Sequence, residues 1–195
     1  METRLADWRE GLPDLVGDRV TLRELRVSDA PTLHAELTTP QARRFVWAPP
    51  PSIAAFERFI QWAHTERATG RYICYATVLR GEEHACSVFE LRQLQPGFLR
   101  GEFGFVITPR LWANGVFVEA ARILLDFAFN QVNVHRIEAR AAVNNEEGNA
   151  AMEQLGARRE GMLEEAFWQD DRFIDQYLWA ILDSRWPHGN GGRPK

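Results

Sequence analysis

Glu102 stands in the run Arg100-Gly101-Glu102-Phe103-Gly104-Phe105-Val106-Ile107, where apolar residues at 103, 105 and 107 alternate against it. Alternation of this kind marks a half-buried strand, so the carboxylate projects from the face opposite the apolar side chains, with Gly104 beside it leaving room for another molecule. A carboxylate held there is a candidate general base, a role worth about 10²–10⁴ in rate. Its bland alternative is a solvated strand side chain. A second feature follows directly. Pro109 ends the strand because it cannot donate to a ladder, and Asn114-Gly115 supply an N-cap and a position where backbone can approach a ligand closely. The helix that opens there carries free amides and a partial positive charge at its first turn, which suits phosphate without a lysine, although many strand–turn–helix joints bind nothing. Asn144, Asn145 and Asn149 follow the next strand and read equally well as turn and cap residues. The five histidines are scattered with no pair at ligand spacing, so no metal is expected.

The elements that must position these groups are legible by period. From Val116, only Glu119, Arg122, Asp126 and Asn130 break an otherwise apolar helix, so that helix is expected to be buried on all but one stripe. Before it, Arg19 to Arg26 alternates as a strand; Ser28-Asp29-Ala30-Pro31 starts a helix to about Leu37; and Ser52 caps a second helix to about Ala68. Thr39 to Ser52 reads as loop, stiffened by Pro49-Pro50-Pro51. Tyr72–Leu79, Ala85–Leu91 and Leu99–Ile107 are strands, then Arg136–Val143, a helix from Glu146 to Leu155 ended by Gly156, and strands Arg158–Phe167 and Phe173–Leu182 around the acidic turn Gln169-Asp170-Asp171. This order predicts an α/β fold: a mixed, largely antiparallel sheet of about seven strands flanked by helices. The expected organisation is a lead-in over 1–16, one domain over 17–186 and a Gly/Pro-rich flexible tail over 187–195.

Composition narrows the class. A chain of 195 residues that is 45% hydrophobic can bury a sizeable core, and a mixed net charge of −4 offers no basic field for direct nucleic-acid binding. No segment approaches the roughly 18 consecutive apolar residues of a membrane span, and the N-terminus lacks a leader pattern, so a cytoplasmic protein is expected. Cys74 and Cys86 sit in apolar strands and read as buried free thiols. The aromatic content suits a homodimer without locating its interface. Glu164, Glu165, Asp170 and Asp171 read first as a solvated hairpin.

The stretch Trp112-Ala113-Asn114-Gly115-Val116-Phe117-Val118-Glu119-Ala120 resembles the cofactor loop of the GCN5-related N-acetyltransferases, in the ribosomal-protein alanine acetyltransferase (RimJ/RimL-type) branch. Gly17-Asp18-Arg19-Val20-Thr21-Leu22-Arg23, Arg136-Ile137-Glu138-Ala139-Arg140 and Leu155-Gly156-Ala157-Arg158-Arg159-Glu160-Gly161 support it in order. The resemblance implies acetyl-CoA as co-substrate, no metal, and direct acetyl transfer in a ternary complex to a primary amine, either a protein N-terminus or a small molecule. It places the diphosphate on Trp112, Ala113, Asn114, Gly115, Val116, Phe117 and Val118. Phe105, Val106 and Ile107 would hold the pantetheine arm and thioester, and Asn145, assisted by Asn149, the pantetheine amide or the reacting end. Glu102 would be the base; read from the residues themselves, Arg44 and Trp47 beside the proline run suit the lining of the acceptor cleft with it. Departures exist: Phe117 replaces a small residue, and Gly148 and Met152 stand where relatives place a serine or tyrosine acid. They support an alternative, a catalytically impaired acyl-CoA-binding sensor of the same fold.

Overall fold

The computed structural model describes residues 7–45, 48–112, 115–169 and 171–187. In chain order the elements are β1 (Leu15–Val16), β2 (Val20–Glu24), α1 (Ala30–Leu37), α2 (Pro40–Arg43), α3 (Ile53–Ala68), β3 (Tyr72–Leu79), β4 (Ala85–Gln95), β5 (Arg100–Val106), α4 (Val116–Phe127), β6 (Arg136–Ala142), α5 (Glu146–Gln154), β7 (Arg158–Gln169) and β8 (Arg172–Leu182). The strands form one eight-stranded sheet in the order β1-β2-β3-β4-β5-β6-β8-β7. Every pairing is antiparallel except β5 with β6, which the crossover through α4 makes parallel.

Sequence period accounts for most of these elements. Thr39, within the stretch expected to be loop, accepts a hydrogen bond from Ala42 N–H and caps the short α2, with Pro40 in its first turn. The Ser52 hydroxyl likewise caps α3 through Ala55 N–H at 3.2 Å. The lead-in supplies the eighth strand: β1 pairs with β2, Leu12 and Leu15 enter the core, and Val16 is 74% exposed.

Two cores lie on opposite faces of the sheet. On one, α4 and α5 pack with Phe89, Phe103, Ile137 and Trp179. On the other, α1 and α3 cover β3 and β4 through Leu33, Phe56, Ile60 and Val88. The polar stripe of the long helix is where the period puts it: Arg122, Asp126 and Asn130 are exposed, and the helix continues past Phe127 as a π-helical turn over Ala128–Val132. Asp126 accepts from the Trp186 indole N–H at 2.5 Å, tying the chain's last described turn to this helix. Cys74 and Cys86 are free and buried, and burial pushes the Cys86 thiol up to about 11. Among the described residues no helix is long and apolar enough to cross a membrane, and no group of three metal-ligating side chains forms.

Candidate active site

The register between β5 and β6 comprises Arg100↔Arg136, Gly101↔Ile137 and Glu102↔Glu138 and goes no further. Beyond Glu102, β5 runs on to Val106 paired with β4 alone, while β6 runs on to Ala142 paired with β8 alone. Two parallel strands that part in this way leave one edge of each with unpaired N–H and C=O groups, which need a partner from outside the sheet. Phe105 and Val106 lie on the open stretch of β5, with Ile107 immediately after it.

The chain leaves β5 and reaches the N-terminus of α4. Gly115 precedes the first turn at φ 73°, a left-handed conformation that a Cβ would strain. Ala113 and Asn114 lie outside the described residues, as does Trp47. Phe117 is the substitution that threatened this entrance, and its ring is 1% exposed. It stacks on Trp112 at 4.7 Å and meets Phe105 edge-on at 4.8 Å, so it fills the core beneath the helix. The first-turn amides at 116–118 are therefore not covered by that side chain. Gly17 lies against the same turn: a Cβ there would stand 2.5 Å from both Glu119 Oε1 and Ile123 Cδ1. This close approach lets Arg19 N–H donate to Glu119 at 2.8 Å and the Arg19 guanidinium reach it at 2.7 Å. Burial works to raise the Glu119 carboxyl, but these Arg19 contacts outweigh it and hold it below its ordinary range. Arg19 Nη2 comes within 3.8 Å of the position a Gly115 Cβ would take, placing a cation beside the helix start.

On the sheet face away from α4, Glu102 projects as the alternation predicts. Both its oxygens are engaged: Oε2 by Arg92, whose Nε stands at 3.1 Å, and Oε1 by Arg140 Nη1 at 3.3 Å. A second group on β5, β6 and β7 links Arg100, Glu138, Arg136 and Glu160. The space over Gly104, expected to admit another molecule, holds the Glu90 carboxylate instead: a Cβ at Gly104 would lie 2.7 Å from Glu90 Oε1. Tyr72 donates its phenolic O–H to Glu90 Oε2. Burial raises the Glu90 carboxyl, and Tyr72 partly counters it. Sequence reading passed over Glu90 and Tyr72. The sequence shows only a lone carboxylate inside the apolar strand Cys86-Ser87-Val88-Phe89-Glu90-Leu91; its place opposite Gly104 comes from the sheet register.

Asn145 is buried and caps α5, its Oδ1 accepting from Gly148 N–H at 3.0 Å; its Nδ2 has no acceptor among the described residues. A Cβ at Gly148 would fall 2.5 Å from that Nδ2, so the absent serine is the condition for this cap. Met152 is core. Asn149 spends its amide internally, donating to Ala142 O and Asn145 O and accepting from Trp179 Nε1. It fixes the turn after β6. Arg44 is exposed, with its guanidinium 4.9 Å from the Phe45 ring, and its carbonyl accepts from Gln169 at the end of β7, which brings the α2 loop to the β7–β8 hairpin.

This arrangement has known counterparts. Residues 19–158 match the model of the GNAT acetyltransferase domain. The chain belongs to that family. The uncharacterized N-acetyltransferase YnaD of Bacillus subtilis is 33% identical over 85 residues, 44% of this chain and 50% of that protein, so the match spans half of its length. Mycobacterium smegmatis RimJ, solved with CoA-disulfide, superposes with a TM-score of 0.78 at 22% identity, covering 87% of this chain and 85% of RimJ. The ribosomal-protein-S5-alanine acetyltransferase of Vibrio fischeri gives 0.79 at 17% identity, covering 89% and 98%.

Proposed function

We propose that this GNAT protein transfers an acetyl group from acetyl-CoA to a primary amine within a ternary complex. The observation that carries the reading is the end of β5–β6 pairing at Glu102↔Glu138, with the α4 N-terminus beyond it and carboxylates on the face opposite α4. The residues present fit acetyl-CoA. Main-chain amides from Gly115 to Val118 and the Arg19 guanidinium suit a diphosphate, and the Phe117 ring does not obstruct them. The unpaired edge of β5 around Phe105, Val106 and Ile107 offers N–H and C=O groups to the pantetheine amides and, at a thioester oxygen, a main-chain donor. Asn145 has its Nδ2 left to give.

When bound, acetyl-CoA supplies an acyl group activated as a thioester. The chain's own contribution is positioning, exclusion of water and removal of a proton from the acceptor, whose α-amino or lysine pKa of about 7.7–8.0 or 10.4 leaves it largely protonated near neutrality. The acceptor approaches over the sheet face that carries Glu102, between α3 and the β7–β8 hairpin, with Arg44 at the rim. A protein N-terminus is favoured by the likeness to RimJ and the S5-alanine enzyme; a small amine is the other candidate. The impaired-sensor reading rested on Phe117, Gly148 and Met152 together; Phe117 packs in the core and no longer argues for it, while Gly148 and Met152 still depart from the pattern. Thiol release from acetyl-CoA is the test, using an alanine-initiated pentapeptide and spermidine as acceptors. Amine-dependent release is expected, and CoA binding without release from either would contradict it.

A further inference from the structure

Two carboxylates lie on the sheet face away from α4 near the place where β5 leaves β6, and they are held differently. Glu102 has a guanidinium on each oxygen, so its negative charge is already paired on both sides. Glu90 is anchored through Oε2 alone, by Tyr72, while Oε1 lies over Gly104 with no hydrogen-bond partner among the described residues. Gly104 is two residues beyond the last β5–β6 pair and on the same face as Glu102. The unengaged oxygen therefore sits over the first stretch of β5 that has left its neighbour. Glycine is required at 104 for this placement, since a Cβ would stand 2.7 Å from that oxygen.

We propose that Glu90, anchored by Tyr72, is the catalytic carboxylate that takes the acceptor's proton, and that Glu102 is a positioning residue holding Arg92 and Arg140. This rests on the acetyl-transfer reading and names the base within it. Glu90 Oε1 removes one proton from the acceptor ammonium and later releases it to solvent. The nitrogen pair so freed forms the bond to the acetyl carbon, the carbon–sulfur bond breaks with its pair on sulfur, and the second nitrogen proton ends on that sulfur. The surroundings tune the base: burial raises its carboxyl, the Tyr72 hydroxyl lowers it, Glu102 on β5 raises it and Arg92 on β4 lowers it, with the neutral Cys74 thiol on β3 the remaining titratable neighbour. A carboxyl moved toward neutrality is better matched to accepting an amine proton.

The test is the pH dependence of kcat/KM for thiol release by the full chain with acetyl-CoA and the alanine-initiated pentapeptide or spermidine. Glu90→Gln is expected to lower kcat by about 100-fold or more, to change the KM for acetyl-CoA little, and to abolish the acidic limb of the profile. Tyr72→Phe removes a donor to the charged form and moves that limb to higher pH. Glu102→Gln removes a facing negative charge and moves it to lower pH. A Glu90→Gln protein that keeps rate and limb overturns the assignment, as does loss of the limb in Glu102→Gln. If Glu90→Gln does not fold, the opposite displacements in the other two variants decide, and unmoved limbs overturn it. A wild-type protein that binds CoA but acetylates neither amine overturns the transfer reading itself, and this inference with it.

Discussion

The two faces of β5 are built for different work. Toward α4, Phe103 and Phe105 join Phe89, Phe117 and Trp112 in a continuous aromatic packing, with ring centroids 4.7–6.1 Å apart. On the other side, Glu102 and Gly104 sit in a lattice of guanidinium and carboxylate groups spanning β4 to β7. The apolar face fixes the strand and the start of α4 relative to each other, while the polar face has a carboxylate oxygen, Glu90 Oε1, without a hydrogen-bond partner among the described residues. The difference teaches that one strand can carry close packing on one side and, on the proposed reading, the reactive groups on the other. Rigidity there comes from dispersion and burial, and selectivity on the other side from which charges are already satisfied.

Breaking the apolar face should cost most. Phe117→Ala leaves a cavity under the first turn of α4 and is expected to destabilise by about 3–5 kcal/mol, read by urea unfolding, with weaker CoA binding by calorimetry. Gly104→Ala attacks the polar face alone: the new Cβ pushes against Glu90 Oε1, and kcat should fall roughly 10–100-fold with little change in unfolding midpoint. Equal losses of stability in both variants would erase the distinction between the faces. Asn145→Ala, at the far end of β6, removes a buried helix cap and should cost about 1 kcal/mol in the same unfolding assay.

The smallest effect lies at the lattice edge. The Arg136 hydrogen bonds hold the Glu160 carboxyl below its ordinary value of 4.5. A depressed carboxyl contributes stability above that ordinary value and loses it as pH falls through the lowered one, because the unfolded chain binds the proton first. Glu160 is exposed, so solvent screens the pair, and Glu160→Gln should flatten the acid side of the pH–stability curve only slightly.

Much of this was legible in the chain. Period alone placed β3 from Tyr72 to Leu79 and α3 after its Ser52 cap, and the gaps in the apolar pattern of α4 marked its exposed stripe. Resemblance supplied the family. The Thr39 cap was missed because its helix is too short to show a period. Glu90 was missed because a single carboxylate in an apolar strand carries no local pattern. Its meaning comes from a glycine on the neighbouring strand and a tyrosine 18 residues earlier, and only the sheet register brings the three together. Phe117 looked obstructive in sequence because the direction of its ring is set by tertiary packing.

The structure of the protein with CoA bound tests the central claim most directly. The account predicts the diphosphate on the main-chain amides of residues 115–118 and the thiol end where β5 and β6 part after Glu102↔Glu138. A diphosphate seated away from that helix start, or a thiol lying on the α4 side of the sheet, would contradict it.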